Sequence, residues 1–126
     1  MTDLIEVNTA DLTGAALDWM VAQVEAVSVA IAAPHYGTDW RVYKPDFGGK
    51  YSPSTDWAIG GPLIEAWEVT VEPSAWDWKR ECVLWRAQIN DEANYFEHAN
   101  PLVAICRAIV AAKLGDSVQV PKELMS

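Results

Sequence analysis

The sequence predicts an α+β domain: two main helices packed on a small, mostly antiparallel sheet. Three observations lead there. Apolar residues recur at i, i+3, i+4, i+7 in two places, Leu17-Met20-Val21-Val24 and Leu102-Ile105-Cys106-Ile109. Two further runs, Pro62 to Glu72 and Glu81 to Ile89, alternate along the chain in the way a half-buried strand does. The length of 126 residues suits a single domain, 1–126, that buries roughly two-thirds of its unfolded surface.

The first helix is expected over 13–25. Thr13 stands where a hydroxyl can cap the first amides, and Leu12 and Leu17 occupy the two positions of a hydrophobic staple. Trp19 and Gln23 fall off the centre of its stripe. Val27, Val29 and Ile31 then alternate with small residues, a short strand that Pro34 ends. From Pro34 to Pro53 three prolines and three glycines predict an extended loop region, with a strand at Trp40 to Tyr43. In the run Pro62 to Glu72, the strand reading places Leu63, Glu65, Trp67, Val69 and Val71 on one face. Its partner places Val83, Trp85, Ala87 and Ile89 on one face, so the two form a hairpin with a tryptophan-rich apolar side. The connection Pro73 to Lys79 is too long for a two-residue turn. Asn100 as N-cap, Pro101 in the first turn and Gly115 past the end frame the second helix. Val118 and Val120, before Pro121, are read as a last short strand.

Composition narrows the function classes. The chain carries 18 Asp and Glu against 9 Lys and Arg, a net charge of −9, with 51% hydrophobic and 21% charged residues. That is a globular composition and not a disordered one. No apolar run approaches the ~20 residues of a membrane-spanning helix. The acidic start lacks the pattern of a signal peptide, so the expected location is the cytoplasm and no membrane association is expected. Cys82 and Cys106 fall in separate elements and are read as reduced core thiols; two cysteines exclude a disulfide scaffold or a cysteine-ligated zinc site. Direct nucleic-acid binding is not expected, because Lys79-Arg80 is the nearest approach to a basic cluster. The run Pro62 to Glu97, with eight acids and three bases, fits either a solvated face or a mimic of DNA charge. Of the seven tryptophans, at least four are expected to supply the main mass of the core.

The common catalytic patterns are missing. There is no G-x-S-x-G elbow and no H-E-x-x-H helix, and Gly49-Lys50-Tyr51-Ser52 departs from a P-loop at Tyr51 and at Lys44. His35 with Asp39 offers only two mixed metal ligands, so neither a metal nor a cofactor is expected. The densest polar and aromatic cluster runs from Tyr51 through Ser52, Ser54, Thr55, Asp56 and Trp57 to Gly60-Gly61-Pro62. Two readings fit it. One is a capped turn, begun by Ser54 or Thr55 and released by the glycines. The other is a recess that binds a ligand or partner group. The strand reading also points Glu65 inward, where a carboxylate needs a cation or a proton; Arg107 is the expected partner, and Arg86 the lesser one. A bulge before Glu65 would turn it outward.

Three blocks resemble the NinX-like family of small phage and prophage proteins of unknown function. They are Leu12-Thr13-Gly14-Ala15-Ala16-Leu17-Asp18-Trp19, Tyr51 through Asp56-Trp57 to Gly60-Gly61-Pro62-Leu63-Ile64-Glu65, and Asn100-Pro101-Leu102-Val103-Ala104-Ile105-Cys106-Arg107 through Gly115-Asp116. The resemblance spans residues 12 to about 121 and leaves out Pro73 to His98. It implies a phage-encoded protein working in a bacterial cytoplasm and implies no activity. Its motifs include Ser54, Asp56, Trp57, Glu65 and Arg107, as a shared fold or a shared site would both require.

The leading functional expectation is therefore a small non-catalytic accessory protein that binds a host or phage protein. Trp76 and Trp78, in an expected loop, are the interface candidates. The alternative is a small-molecule-binding protein or enzyme that uses Tyr51, Ser52, Ser54, Asp56 and Trp57, with Glu65 as acid or base and a raised Glu65 pKa. A third is an inhibitor that mimics DNA.

Overall fold

A computed structural model describes residues 3–46, 49–90 and 94–125. The order of elements is β1 (Leu4–Asn8), α1 (Gly14–Val24), β2 (Ala30–Ala32), β3 (Arg41–Tyr43), α2 (Trp57–Trp67), β4 (Val69–Trp76), β5 (Cys82–Ile89), β6 (Phe96–His98), α3 (Pro101–Leu114) and β7 (Ser117–Pro121). Short 3-10 turns follow β1 and β7. The fold is α+β, as the periodicities require, but with three helices, and the strands form three small antiparallel sheets: β1-β7, β2-β3 and β4-β5-β6. The expectation of two main helices on one sheet is corrected to that extent.

The α3 helix is the centre of the molecule. Its Asn100 N-cap accepts the Leu102 amide at 3.0 Å, and Gly115 ends it. Leu102, Val103, Ala104, Ile105, Cys106, Ala108, Ile109 and Val110 are all buried, more than one stripe, because α1 and α2 pack against this helix as well as the β4-β5-β6 sheet. The α1 helix buries Leu17, Met20 and Val21, with Val24 half-buried. Thr13 stands at its N-cap in extended conformation, yet its side chain makes no capping bond.

The core is aliphatic. Among the described residues no tryptophan is fully buried: Trp19, Trp40 and Trp67 are half-buried against the core, Trp85 is half-buried in β5, and Trp57, Trp76 and Trp78 are exposed. The expectation that at least four would form the core's main mass fails. With α3 filling the centre, Leu and Val side chains already close it.

The largest correction falls on residues 57–67. They form a helix, not the first half of a strand. Asp56 starts it by accepting the Ala58 amide at 2.9 Å. Glu68, at φ +52°, stops it, and only then does β4 begin. Gly60 and Pro62 weaken a helix in isolation, but here Gly60 is where the helix meets its neighbours. A Cβ at Gly60 would lie 2.2 Å from the Pro53 carbonyl oxygen and 2.8 Å from Leu102 Cδ2. Ile59, Gly60, Leu63, Ile64 and Trp67 recur at helical spacing, and Leu63 is buried.

The hairpin is present as expected, with Val69 opposite Ile89 and Val71 opposite Ala87. However, β4 continues through Pro73 to Trp76 with a register irregularity, so Trp76 is in a strand rather than a loop. The strand expected across 27–31 shortens to Ala30–Ala32, while Val27 and Val29 pack half-buried against the core. Both thiols are free: Cys106 is buried, and Cys82 is half-buried.

Candidate functional site

The segment 51–54 lies under the surface, and the reason is one residue of α1. Asp18 is 4% exposed, and its Oδ1 accepts the Ser54 amide at 2.9 Å. The residues of this segment, Tyr51, Ser52, Pro53 and Ser54, are buried in turn. The Ser52 carbonyl accepts the amides of Thr55 at 3.1 Å and Asp56 at 2.9 Å, which tightens the turn that leads into α2. Asn100 ties the same turn to α3, since its Nδ2 donates to the Ser54 carbonyl at 3.2 Å. Thus α1, α3 and the start of α2 are held together through four residues of loop.

The charges inside this junction are perturbed. Burial pushes the Asp18 carboxyl up to about 6, and Ser54 and the Lys50 charge pull it only part of the way back. Burial also lifts the Tyr51 phenol above its usual range, and the charges of Glu25, Cys106 and Asp18 add to this. The Cys106 thiol is raised by burial and by Asp18. The phenol and the thiol are therefore held neutral, while the Asp18 carboxyl keeps its proton to a higher pH than a free aspartate does. Ser54 Oγ is fully buried and has no well-formed hydrogen bond among the described residues.

The other residues singled out by sequence do not join this junction. Asp56 and Trp57 are exposed at the start of α2, where Asp56 serves as N-cap. Glu65 lies on the exposed side of α2, because its strand is a helix; the inward carboxylate is an artefact of the wrong period. Nor does Arg107 pair with Glu65. Its Nε donates to the Leu12 carbonyl at 2.8 Å, and burial lowers its pKa against the opposing charge of Asp11. Arg86 pairs instead with Glu72, 3.5 Å away across β4 and β5, and covers the Tyr95 ring at 4.3 Å. Burial and the Arg107 charge lower the His98 pKa, and His98 Nδ1 accepts the Asn100 amide at 2.9 Å, so this ring is a neutral acceptor.

Sequence reasoning missed Asp18 as a site residue. The stripe Leu17-Met20-Val21-Val24 leaves Asp18 off its centre, so its burial is not read from the periodicity. Surface recesses lie elsewhere. One of about 410 Å³ is lined by Ala32, Arg41, Tyr43 and Lys50, and one of about 340 Å³ lies between α1 and β7 beside Trp19, Met20 and Val118. A third, beside Thr13, Asp39 and Trp40, measures about 260 Å³. Among the described residues, no three His, Cys, Asp or Glu side chains converge to hold a metal ion.

The two interface candidates sit at the far end of the β4–β5 hairpin. Trp76 is 56% exposed and Trp78 88% exposed. The turn between the strands is held by Asp77, whose Oδ1 accepts the amides of Lys79 at 2.8 Å and Glu81 at 3.0 Å. Lys79 Nζ lies 5.2 Å from the centre of the Trp78 ring. In the acidic run Pro62 to Glu97, Asp91 and Glu92 lie outside the described residues. No helix among the described residues is long and apolar enough to cross a membrane.

Comparison with known proteins bears on this arrangement in one way. The family model described as Bacteriophage P22, NinX matches residues 8–113, which include the Asp18–Ser54 junction and the whole hairpin. No curated protein matches the chain.

Proposed function

The chain belongs to the bacteriophage P22 NinX family, and from that premise we propose that it is an accessory protein that binds a host or phage protein in the bacterial cytoplasm through the tip of the β4–β5 hairpin. The observation that carries this reading is the exposure of Trp76 and Trp78 beside a turn that Asp77 holds in place. Each indole presents ~150–250 Å² of surface, and exposed aromatics on a stiff support serve as interface anchors. Val83, in β5, is also exposed.

The test is affinity capture from host lysate with three baits: wild type, the Trp76→Ala/Trp78→Ala double variant, and Asp56→Ala. The expected result is a stoichiometric protein captured by wild type and by Asp56→Ala but not by the double variant. Truncating one anchor costs about 2 kcal/mol or more, roughly thirtyfold in affinity. A partner retained by the double variant at unchanged affinity overturns the proposal. Displacement of the partner by duplex DNA at low salt would transfer the contact to the acidic run instead.

A further inference from the structure

We propose that the recess between Arg41, Tyr43 and Lys50 binds a small phosphate monoester. This site is remote in sequence from the hairpin, and it stands or falls independently of that reading.

The recess follows from strand geometry. Val42 is buried against the core, so Arg41 and Tyr43, on either side of it, face outward together. Lys50 bridges to Tyr43, and Ala32 pairs with Arg41. Three functional side chains thus surround a position where the facing strand offers only a methyl group. The volume, about 410 Å³, matches a small organic ligand.

Charge makes the site selective. The chain has twice as many acids as bases, yet none of the acids lines this recess among the described residues. The salt bridge among the described residues is Arg86 with Glu72; Arg41 forms none there, and Lys50, whose charge also acts on the buried Asp18 carboxyl, forms no direct salt bridge. Arg41 is also held in place. Its Nη1 donates to Thr38 Oγ1 at 2.8 Å, and that hydroxyl donates to the His35 carbonyl at 2.7 Å. Among the described residues the remaining edge of the guanidinium fork has no acceptor, and such a fork matches two phosphate oxygens. Lys50 places a second positive charge at the recess. Tyr43 offers a ring face and a hydroxyl to the organic part of the ester. A long polyanion is disfavoured by the chain's net charge of −9.

The test is isothermal titration at low salt with phenyl phosphate and with inorganic phosphate as probes. Expected are saturable one-to-one binding of phenyl phosphate and weaker binding of inorganic phosphate. Arg41→Gln and Lys50→Gln should each weaken phenyl phosphate by about tenfold or more, and Tyr43→Ala should abolish its advantage over inorganic phosphate. Lys122→Gln, outside the recess, should bind as wild type does. Lys50 is exposed, so its variant folds and decides the question even if Arg41→Gln does not. Absence of saturation, unchanged affinity in Lys50→Gln, or equal weakening in Lys122→Gln overturns the proposal.

Discussion

Asp18 and Ser54, 36 residues apart in the chain, meet through a 2.9 Å hydrogen bond from the Ser54 amide to the Asp18 carboxylate, and both residues are buried. This contact fixes the loop before α2 against α1, and it places an acid where water cannot solvate it.

A pH dependence of stability follows. The Asp18 carboxyl is raised from 3.8 to about 6 in the folded protein, so across that interval the folded state holds its proton more tightly than the unfolded chain does. The favourable state is the protonated one, and its contribution is lost as pH rises through about 4 to 6. The shift corresponds to roughly 3 kcal/mol. Asp18→Asn keeps an acceptor for the Ser54 amide and removes the charge. Its stability relative to wild type should therefore increase between pH 4 and 7 by an amount of that order, read by urea unfolding at each pH. Parallel curves for the two proteins would show that burial does not raise the Asp18 pKa.

Gly60 makes a sharper prediction. A Cβ there meets the Pro53 carbonyl oxygen at 2.2 Å, so the helix or the 51–54 segment must move. Gly60→Ala should cost about 2–4 kcal/mol, the range of a severe core clash. Gly61→Ala is the control, because its Cβ would meet Trp57 at an ordinary 3.7 Å. It should be neutral or stabilising by up to ~1 kcal/mol through helix propensity. Equal loss in both variants would mean that the contact with Pro53 does not set the cost at Gly60.

The same glycine explains where the sequence misleads. Elements with local stop and start signals were legible: α3 between Asn100 and Gly115, α1 after Thr13, and the hairpin paired by alternation. The α2 helix was hidden because Gly60, Gly61 and Pro62 read as breakers, while Leu63, Glu65, Trp67 and Val69 happen to alternate across a helix end at Glu68. What reverses the local preference is long-range packing on Pro53 and Leu102, which no short window contains. Glu65 was misassigned for that reason alone. Asp18 was overlooked because its partner is a backbone amide of Ser54, which carries no side-chain signature. The β1 strand was also unforeseen. Its partner, β7, stands at the other end of the chain, with Ile5 opposite Val120 and Val7 opposite Val118.

Asn100 has two separable tasks. Its Oδ1 caps α3 at the Leu102 amide, and its Nδ2 holds the Ser54 carbonyl. Asn100→Asp retains the cap and loses the donor; Asn100→Ala loses both. The cap is worth about 1 kcal/mol, and the second bond about as much. Chemical denaturation should therefore rank wild type above Asn100→Asp, and Asn100→Ala last by roughly 2 kcal/mol. Identical stabilities for the two variants would assign the whole effect to the bond with Ser54.

Arg107 and Glu65 separate the two periodicities directly. If Arg107 holds the Leu12 carbonyl, replacing it by Met leaves that buried oxygen without its donor. The expected cost is about 1–3 kcal/mol. Glu65→Gln, on the exposed side of α2, should change stability by less than ~0.5 kcal/mol. A double-mutant cycle then gives the decisive number. The strand reading, in which the two side chains form an ion pair, requires a coupling energy of a kcal/mol or more. The structure, with Arg107 engaged at Leu12, requires the two effects to add.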